Sequence, residues 1–195
     1  MPERTTDELL LERAGAGESA AFLQVYERHR DAVFRFAYRL SGTVEAAEDI
    51  THDCFLSLIK KPQNFIPGRA SLRTYLLSAA RNLWLKQFRT LGRESAIDEL
   101  TDDRYIDVGR GPLRGLLDDE LSLKVKEAVS NLPPMQREAL ILFEYEGLAL
   151  SEIAEMVGTD VGAVKARLHR ARQGLKGSLQ GYLNSSREIV TLEKA

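Results

Sequence analysis

LSEIAEMVGTDVGAVKARLHRAR, residues 150–172, carries the densest local pattern in the chain. Ala154 falls where a first helix must let a second approach closely, and Gly158 falls where the intervening turn needs positive φ. Val164 falls where the second helix plugs a small core. The spacing predicts a helix-turn-helix. On the second helix Val161, Val164, Leu168, Ala171 and Leu175 share one side. At about 100° per residue, Ala166, His169, Arg170 and Gln173 then point outward, with Lys165 and Arg172 on one shoulder and Arg167 on the other. A packed back and a basic, amide-bearing front suit the major groove of DNA. Each good bidentate base contact contributes about 1–3 kcal/mol of discrimination, so two or three select a short element. The alternative is an ordinary helical hairpin with a charged face. His169 taken alone is more often a surface histidine than a base reader, and it has no histidine or cysteine at metal-ligand spacing.

Around this motif the chain has 195 residues, 44% hydrophobic, 29% charged and 7% aromatic, enough for one domain or two small ones. With 27 Lys+Arg against 29 Asp+Glu, it is not uniformly basic. A single cysteine, Cys54, excludes an internal disulfide framework and a thiolate zinc cluster, and no metal or cofactor is expected. Residues 1–11 hold no apolar core with a small-residue cleavage site, and nowhere do 18 apolar residues run together. The expectation is a soluble, cytoplasmic protein with no membrane contact of its own.

The near-zero net charge hides a segregation. Between Asp53 and Glu94 no acid occurs, while eight bases do: Lys60, Lys61, Arg69, Arg73, Arg81, Lys86, Arg89 and Arg93. Random placement would put about six acids there. A second acid-free window, Val161 to Arg187, carries Lys165, Arg167, Arg170, Arg172, Lys176 and Arg187. Between the two, Ala96 to Glu120 sets eight acids against Arg104, Arg110 and Arg114. Two basic surfaces joined by an acidic connector fit a polyanion gripped in two places; ordinary solvated faces are the plainer alternative.

The rest of the chain reads as helical, with no sustained period-2 alternation. Thr5 and Glu8 have capping-box spacing ahead of a short helix ending near Gly15. Ser19 is placed to cap the next helix, whose inward stripe is Phe22, Val25, His29, Val33, Phe36 and Leu40, ending at Gly42. A third helix spans about Val44 to Lys61 with Ala47, Ile50, Cys54 and Leu58 inward, and Pro62 stops it. After the loop QNFIPGRA a fourth runs from Ser71 to about Thr90, with Leu72, Leu76, Ala79 and Leu83 inward. The expected fold is all-α. Residues 1–95 form a first helical domain and 96–120 an acidic flexible linker rich in glycine. Residues 121–182 form a second domain holding the helix-turn-helix, with helices on either side of Pro133-Pro134, and 183–195 form a tail. Fully extended, the linker would reach roughly 80 Å at ~3.3 Å per residue.

Three segments in this order carry a family resemblance. NLPPMQREALILFEYEGLALSEIAEMVGTDVGAVKARLHRAR resembles the promoter-binding C-terminal domain of bacterial RNA polymerase sigma factors, most closely the extracytoplasmic-function (ECF) group. AAEDITHDCFLSLIKK resembles that family's core-polymerase-binding helix, and SLRTYLLSAARNLWLKQFR resembles the helix that reads the minus-ten element. Together they cover about Phe22 to Leu179. The departures are Asp53 where the family usually has Glu, Ile59 for a common Trp, Lys86 for a common Asp and Ala166 for a common Ser. Those at Lys86 and Ala166 bear on the promoter sequence rather than on the activity.

The resemblance implies a sigma factor, not itself an enzyme, that binds core RNA polymerase and promoter DNA and is held by an anti-sigma factor. It implies that Asp49, His52, Asp53 and Leu56 meet the polymerase; without it, the charged face of Glu45, Glu48, Asp49, His52 and Asp53 reads as solvated. It implies minus-ten contacts from Phe65, Ser71, Arg73, Asn82, Lys86 and Arg89, with Asn82 on a base edge. It assigns the minus-thirty-five element to Lys165, Arg167, His169, Arg170 and Arg172. The acidic connector would thread the RNA exit path, where Asp98, Glu99, Asp102 and Asp103 would stand in for phosphates.

Leu77, Trp84 and Phe88 form a second apolar stripe on the fourth helix, read as bundle core ahead of base-stacking platforms. Cys54 reads as packing ahead of a redox sensor. Two other classes compete: a stand-alone helix-turn-helix regulator, which would not need the first domain, and a sigma-like decoy that titrates an anti-sigma factor. An enzyme finds little support, because His29, His52 and His169 are scattered and no phosphate-binding glycine loop is present.

Overall fold

The computed structural model describes residues 6–90 and 116–192, and all regular structure among them is helical. The chain divides into two compact units, Met1–Arg93 and Glu94–Ala195. In the first, α1 (Asp7–Gly15), α2 (Ser19–Ser41), α3 (Val44–Lys60) and α4 (Leu72–Thr90) form a bundle. α2 packs on each of the other three, and α3 also packs on α4.

Local chemistry sets the helix starts. Thr6, extended, accepts from the Leu9 amide at 3.4 Å and caps α1, so the cap stands one residue beyond the expected Thr5, which lies outside the described residues. Ser19 does not cap α2 but is its first residue; the cap position is Glu18, whose carboxylate is instead taken by Arg13. Gly42, at φ +82°, ends α2 in a left-handed turn, and Thr43 caps α3 through the Ala46 amide at 3.2 Å. Ser71 accepts from the Thr74 amide at 3.1 Å and so starts α4.

The first core is Leu10, Val25, Val33, Phe36, Leu40, Ile50, Leu58, Leu72, Leu76, Leu77 and Trp84. Phe22, expected inside, is half-buried, with its ring edge-on to the buried Phe55. On α4, Ala79 and Leu83 are also only half-buried, and Leu77, Ala80 and Trp84 take the interior instead. With both α2 and α3 as neighbours, α4 must present a wide apolar face rather than a single stripe. Asp7 ties α1 to α2 by accepting from Arg28 and meeting the buried His29 at 2.9 Å.

The second unit holds α5 (Leu116–Ser130), α6 (Pro134–Leu140), a π-helical turn at Ile141–Tyr145, α7 (Leu150–Val157) and α8 (Val161–Leu192). α5, α6 and α7 each pack on α8. A Cβ at Gly174 would stand 3.0 Å from Leu132 Cδ2, so glycine lets the end of the α5 segment come close to α8. Two boundaries differ from the sequence reading. α5 begins inside the stretch read as linker, at Leu116. α8 continues through most of the stretch read as a tail; after Gly181 no glycine or proline occurs to stop it. The remainder of the linker lies outside the described residues.

Candidate nucleic-acid and partner interfaces

The helix-turn-helix is built as its spacing demands. Ala154 is buried on α7, and the chain turns at Gly158 with φ +70° and ψ +43°. The Thr159 amide returns to the Ala154 carbonyl at 3.0 Å, closing the end of α7. Asp160 then caps α8, accepting from the Ala163 amide at 2.8 Å. Val164, Leu168 and Ala171 are buried, which fixes the rotation of α8 and leaves Lys165, Ala166, His169, Arg170 and Gln173 exposed. Val161 is exposed and Leu175 half-buried, so the sealed back is shorter than the sequence stripe.

The two shoulder arginines have different surroundings. Arg167 is half-buried, and its Nη1 is sealed from solvent with no hydrogen-bond partner among the described residues. Arg172 donates to Glu144 Oε1 at 2.7 Å and lies over the Phe143 ring, 5.5 Å from its centroid. Lys165, His169 and Arg170 are exposed on the outer face of α8. Gln173 joins them; its outward position was legible from the periodicity.

On α4, helical geometry splits the candidate residues. Ser71, Asn82, Lys86 and Arg89 fall within about 60° of one another around the axis, whereas Arg73, nine residues before Asn82, falls half a turn away. Asn82, Lys86 and Arg89 are exposed, and Asn82 Oδ1 accepts from the buried Arg81 at 3.5 Å. That contact leaves the Asn82 amide nitrogen as a donor. Ser71 is exposed, but its hydroxyl serves the helix cap. Phe65 is 7% exposed and packs edge-on against Tyr75 with centroids 5.6 Å apart, so its face is not presented at the surface. Leu77 and Trp84 are core, and Phe88 is half-buried against Trp84.

On α3, Asp49, His52 and Asp53 are exposed and Leu56 is half-buried. Their spacing puts all four on one side of the helix. The opposite side is sealed by Ala47, Ile50, Cys54 and Leu58. Among the exposed apolar side chains, Leu23 on α2 and Ile59 on α3 were not foreseen as such; they are 53% and 52% exposed. Leu23 lies off the inward stripe of α2, the one signal that marks it.

Cys54 is buried, and its thiol donates to the Leu76 carbonyl at 3.4 Å. Burial pushes the thiol up to about 12, so it stays protonated at neutral pH and acts as packing. Among the described residues no group of three or more His, Cys, Asp or Glu side chains is placed to hold a metal ion. No described helix is long and apolar enough to cross a membrane.

Residues 25–94 match the Sigma-70 region 2 family and residues 122–175 match the Sigma-70 region 4 family, together well over half of the chain. The chain is 34% identical over 158 residues to the ECF RNA polymerase sigma factor SigE of Mycolicibacterium smegmatis, covering 80% of this chain and 60% of that one. It is 27% identical over 172 residues to the ECF sigma factor SigW of Bacillus subtilis, covering 84% and 91%. The chain thus spans about 60% of the length of its first curated relative and most of the second. Among solved structures it is similar to the sigma factor RpoE of Bartonella quintana, determined in complex with the anti-sigma factor NepR. The TM-score is 0.64 at 28% identity, over 82% of this chain and 96% of that one.

Proposed function

We propose that this chain, which belongs to the extracytoplasmic-function group of RNA polymerase sigma factors, binds core RNA polymerase and directs it to promoters. The observation that carries the reading is the co-occurrence of three unlike surfaces in two small units. α8 offers Lys165, His169, Arg170 and Gln173 around a sealed back and suits an intact major groove at the minus-thirty-five element. α4 offers Asn82 between bases, a mixture suited to unpaired strands of the minus-ten element, where phosphates are held and base edges are read. α3 offers an acidic strip for a basic partner, the core polymerase.

Each surface alone is modest. Joined by the connector and fixed at one spacing by the polymerase, two weak DNA sites act as one strong one. Arg73 and Phe65 are proposed as minus-ten contacts only after rearrangement, since one faces away from Asn82 and the other is packed inside. Arg167 acts at the edge of the duplex face rather than at its centre. Catalysis stays with the polymerase, in the cytoplasm. The relative solved with an anti-sigma factor supports control of this chain by a partner of that class.

A promoter-retention experiment tests the reading. Neither the chain nor core polymerase alone is expected to hold a labelled promoter-library fragment at physiological salt, whereas the two together hold a subset. Equal retention by the chain alone would identify a stand-alone regulator. Binding to an anti-sigma factor with no retention by the mixture would identify a decoy.

A further inference from the structure

Arg172 shares a shoulder of α8 with Lys165, seven residues and two turns away. Its guanidinium is already engaged: Nη2 donates to Glu144 Oε1 at 2.7 Å, and its plane lies over the half-buried Phe143. The two acceptor groups come from the π-helical turn at Ile141–Tyr145, 28 residues earlier in the chain. There the Glu146 amide reaches back five residues to the Ile141 carbonyl at 3.1 Å, and the Leu148 amide reaches Leu142 at 3.1 Å. Such a turn carries one residue more than an α-turn and commonly marks a functional position.

A carboxylate presents to a guanidinium much the same pair of oxygens that a backbone phosphate does. The pair is exposed, with side chains 54% and 45% accessible, so it is held weakly and can be exchanged. We infer that Glu144 is an internal phosphate mimic that occupies Arg172 in the free chain and is displaced by the DNA backbone. It thereby sets how strongly α8 grips duplex. The inference rests on the proposed role of α8 as the duplex-facing helix. Phe143 keeps the guanidinium in place during the exchange, so only the acceptor changes. Because the exchange involves a phosphate and no base edge, its effect is uniform across sequences.

The test is a double-mutant cycle on the full chain. Affinity for a short labelled duplex of mixed sequence is measured by anisotropy over a series of low salt concentrations. Glu144→Gln is expected to tighten binding about two- to fivefold, the span that exposed ion pairs cover. Arg172→Gln is expected to weaken binding and to reduce the slope of log affinity against log salt by about 1. In the Arg172→Gln background, Glu144→Gln is expected to change nothing.

Equal tightening in both backgrounds would overturn the inference, because Glu144 would then only repel DNA. Weaker binding by Glu144→Gln would also overturn it, making Glu144 a positioning residue for Arg172. If Arg172→Gln has no effect while Lys165→Gln still weakens binding, the mimic is overturned and α8 remains the duplex reader. If Lys165→Gln, Arg170→Gln and Arg172→Gln all leave binding unchanged, the duplex-facing reading of α8 itself falls.

Discussion

Reversing two charges on one helix, Asp49→Lys with Asp53→Lys, is expected to weaken binding of the chain to core polymerase by at least about a hundredfold. The two carboxylates are exposed, one turn apart on α3, and the opposite side of that helix is packed into the bundle. The reversal therefore removes two attractions and introduces two repulsions at one contact without touching the core. Close charge pairs across interfaces couple by about 1.5–7 kcal/mol, so two reversals exceed what the surrounding contacts can offset. His52 lies between the two carboxylates, and the half-buried Leu56 extends the strip with an apolar element. Binding measured by calorimetry, with circular dichroism to show an intact bundle, checks the result. Unchanged affinity for core would remove α3 from the interface.

Leu168→Ala is expected to have the largest effect on stability with a direct functional consequence. Leu168 is 3% exposed on the sealed side of α8, beside Val164 and Ala171. Truncating such a leucine costs about 2–5 kcal/mol, lost transfer energy plus the cavity left behind. In a unit this small that is a large share of the total stability. The first unit has its own core, from Leu10 to Trp84, and should keep its stability. Hydrogen exchange should therefore lose protection across α6 to α8 while peptides of α2 to α4 stay protected. The variant should still bind core polymerase, yet lose its grip on duplex. Simultaneous loss of protection in both halves would contradict the independence of the two units.

Much of this was legible because helices write their packing locally. The stripe Val25, His29, Val33, Phe36 and Leu40 is buried as its spacing demands, and so are Ala47, Ile50, Cys54 and Leu58 on α3. The left-handed turn at Gly158 and the plug at Val164 follow from the same short-range logic. What could not be read depends on partners distant in the chain. Glu144 and Arg172 are 28 residues apart, and only the fold brings the carboxylate to the arginine counted as a DNA contact. His29 looked like one more member of an apolar stripe, yet it is buried because Asp7 supplies its partner across 22 residues. Phe65, which the resemblance counts among the minus-ten contacts, is 7% exposed, and Tyr75 on α4 gives its ring an internal contact. Arg73 lies nine residues, two and a half turns, from Asn82 and so on the other side of α4, a separation that composition alone does not show.

Helix ends were the other weak point. Thr5 and Thr6 are nearly equivalent as cap signals, and Ser19, the stronger cap residue in the sequence, stands inside α2 while Glu18 at the cap position pairs with Arg13 instead of capping. At the far end, α8 runs on to Leu192 with nothing in the local sequence to stop it. A weakly patterned polar stretch reads equally well as a tail. The fold was thus visible where periodicity decides, and the candidate site only where exposure follows from that periodicity.

The most direct measurement is run-off transcription with purified core polymerase, this chain and a library of promoter sequences. The account predicts transcripts that begin at defined sites, from templates sharing two short elements at a fixed spacing, and only when the chain is present. Synthesis that stays random in start site, or that is the same with and without the chain on every template, would contradict it.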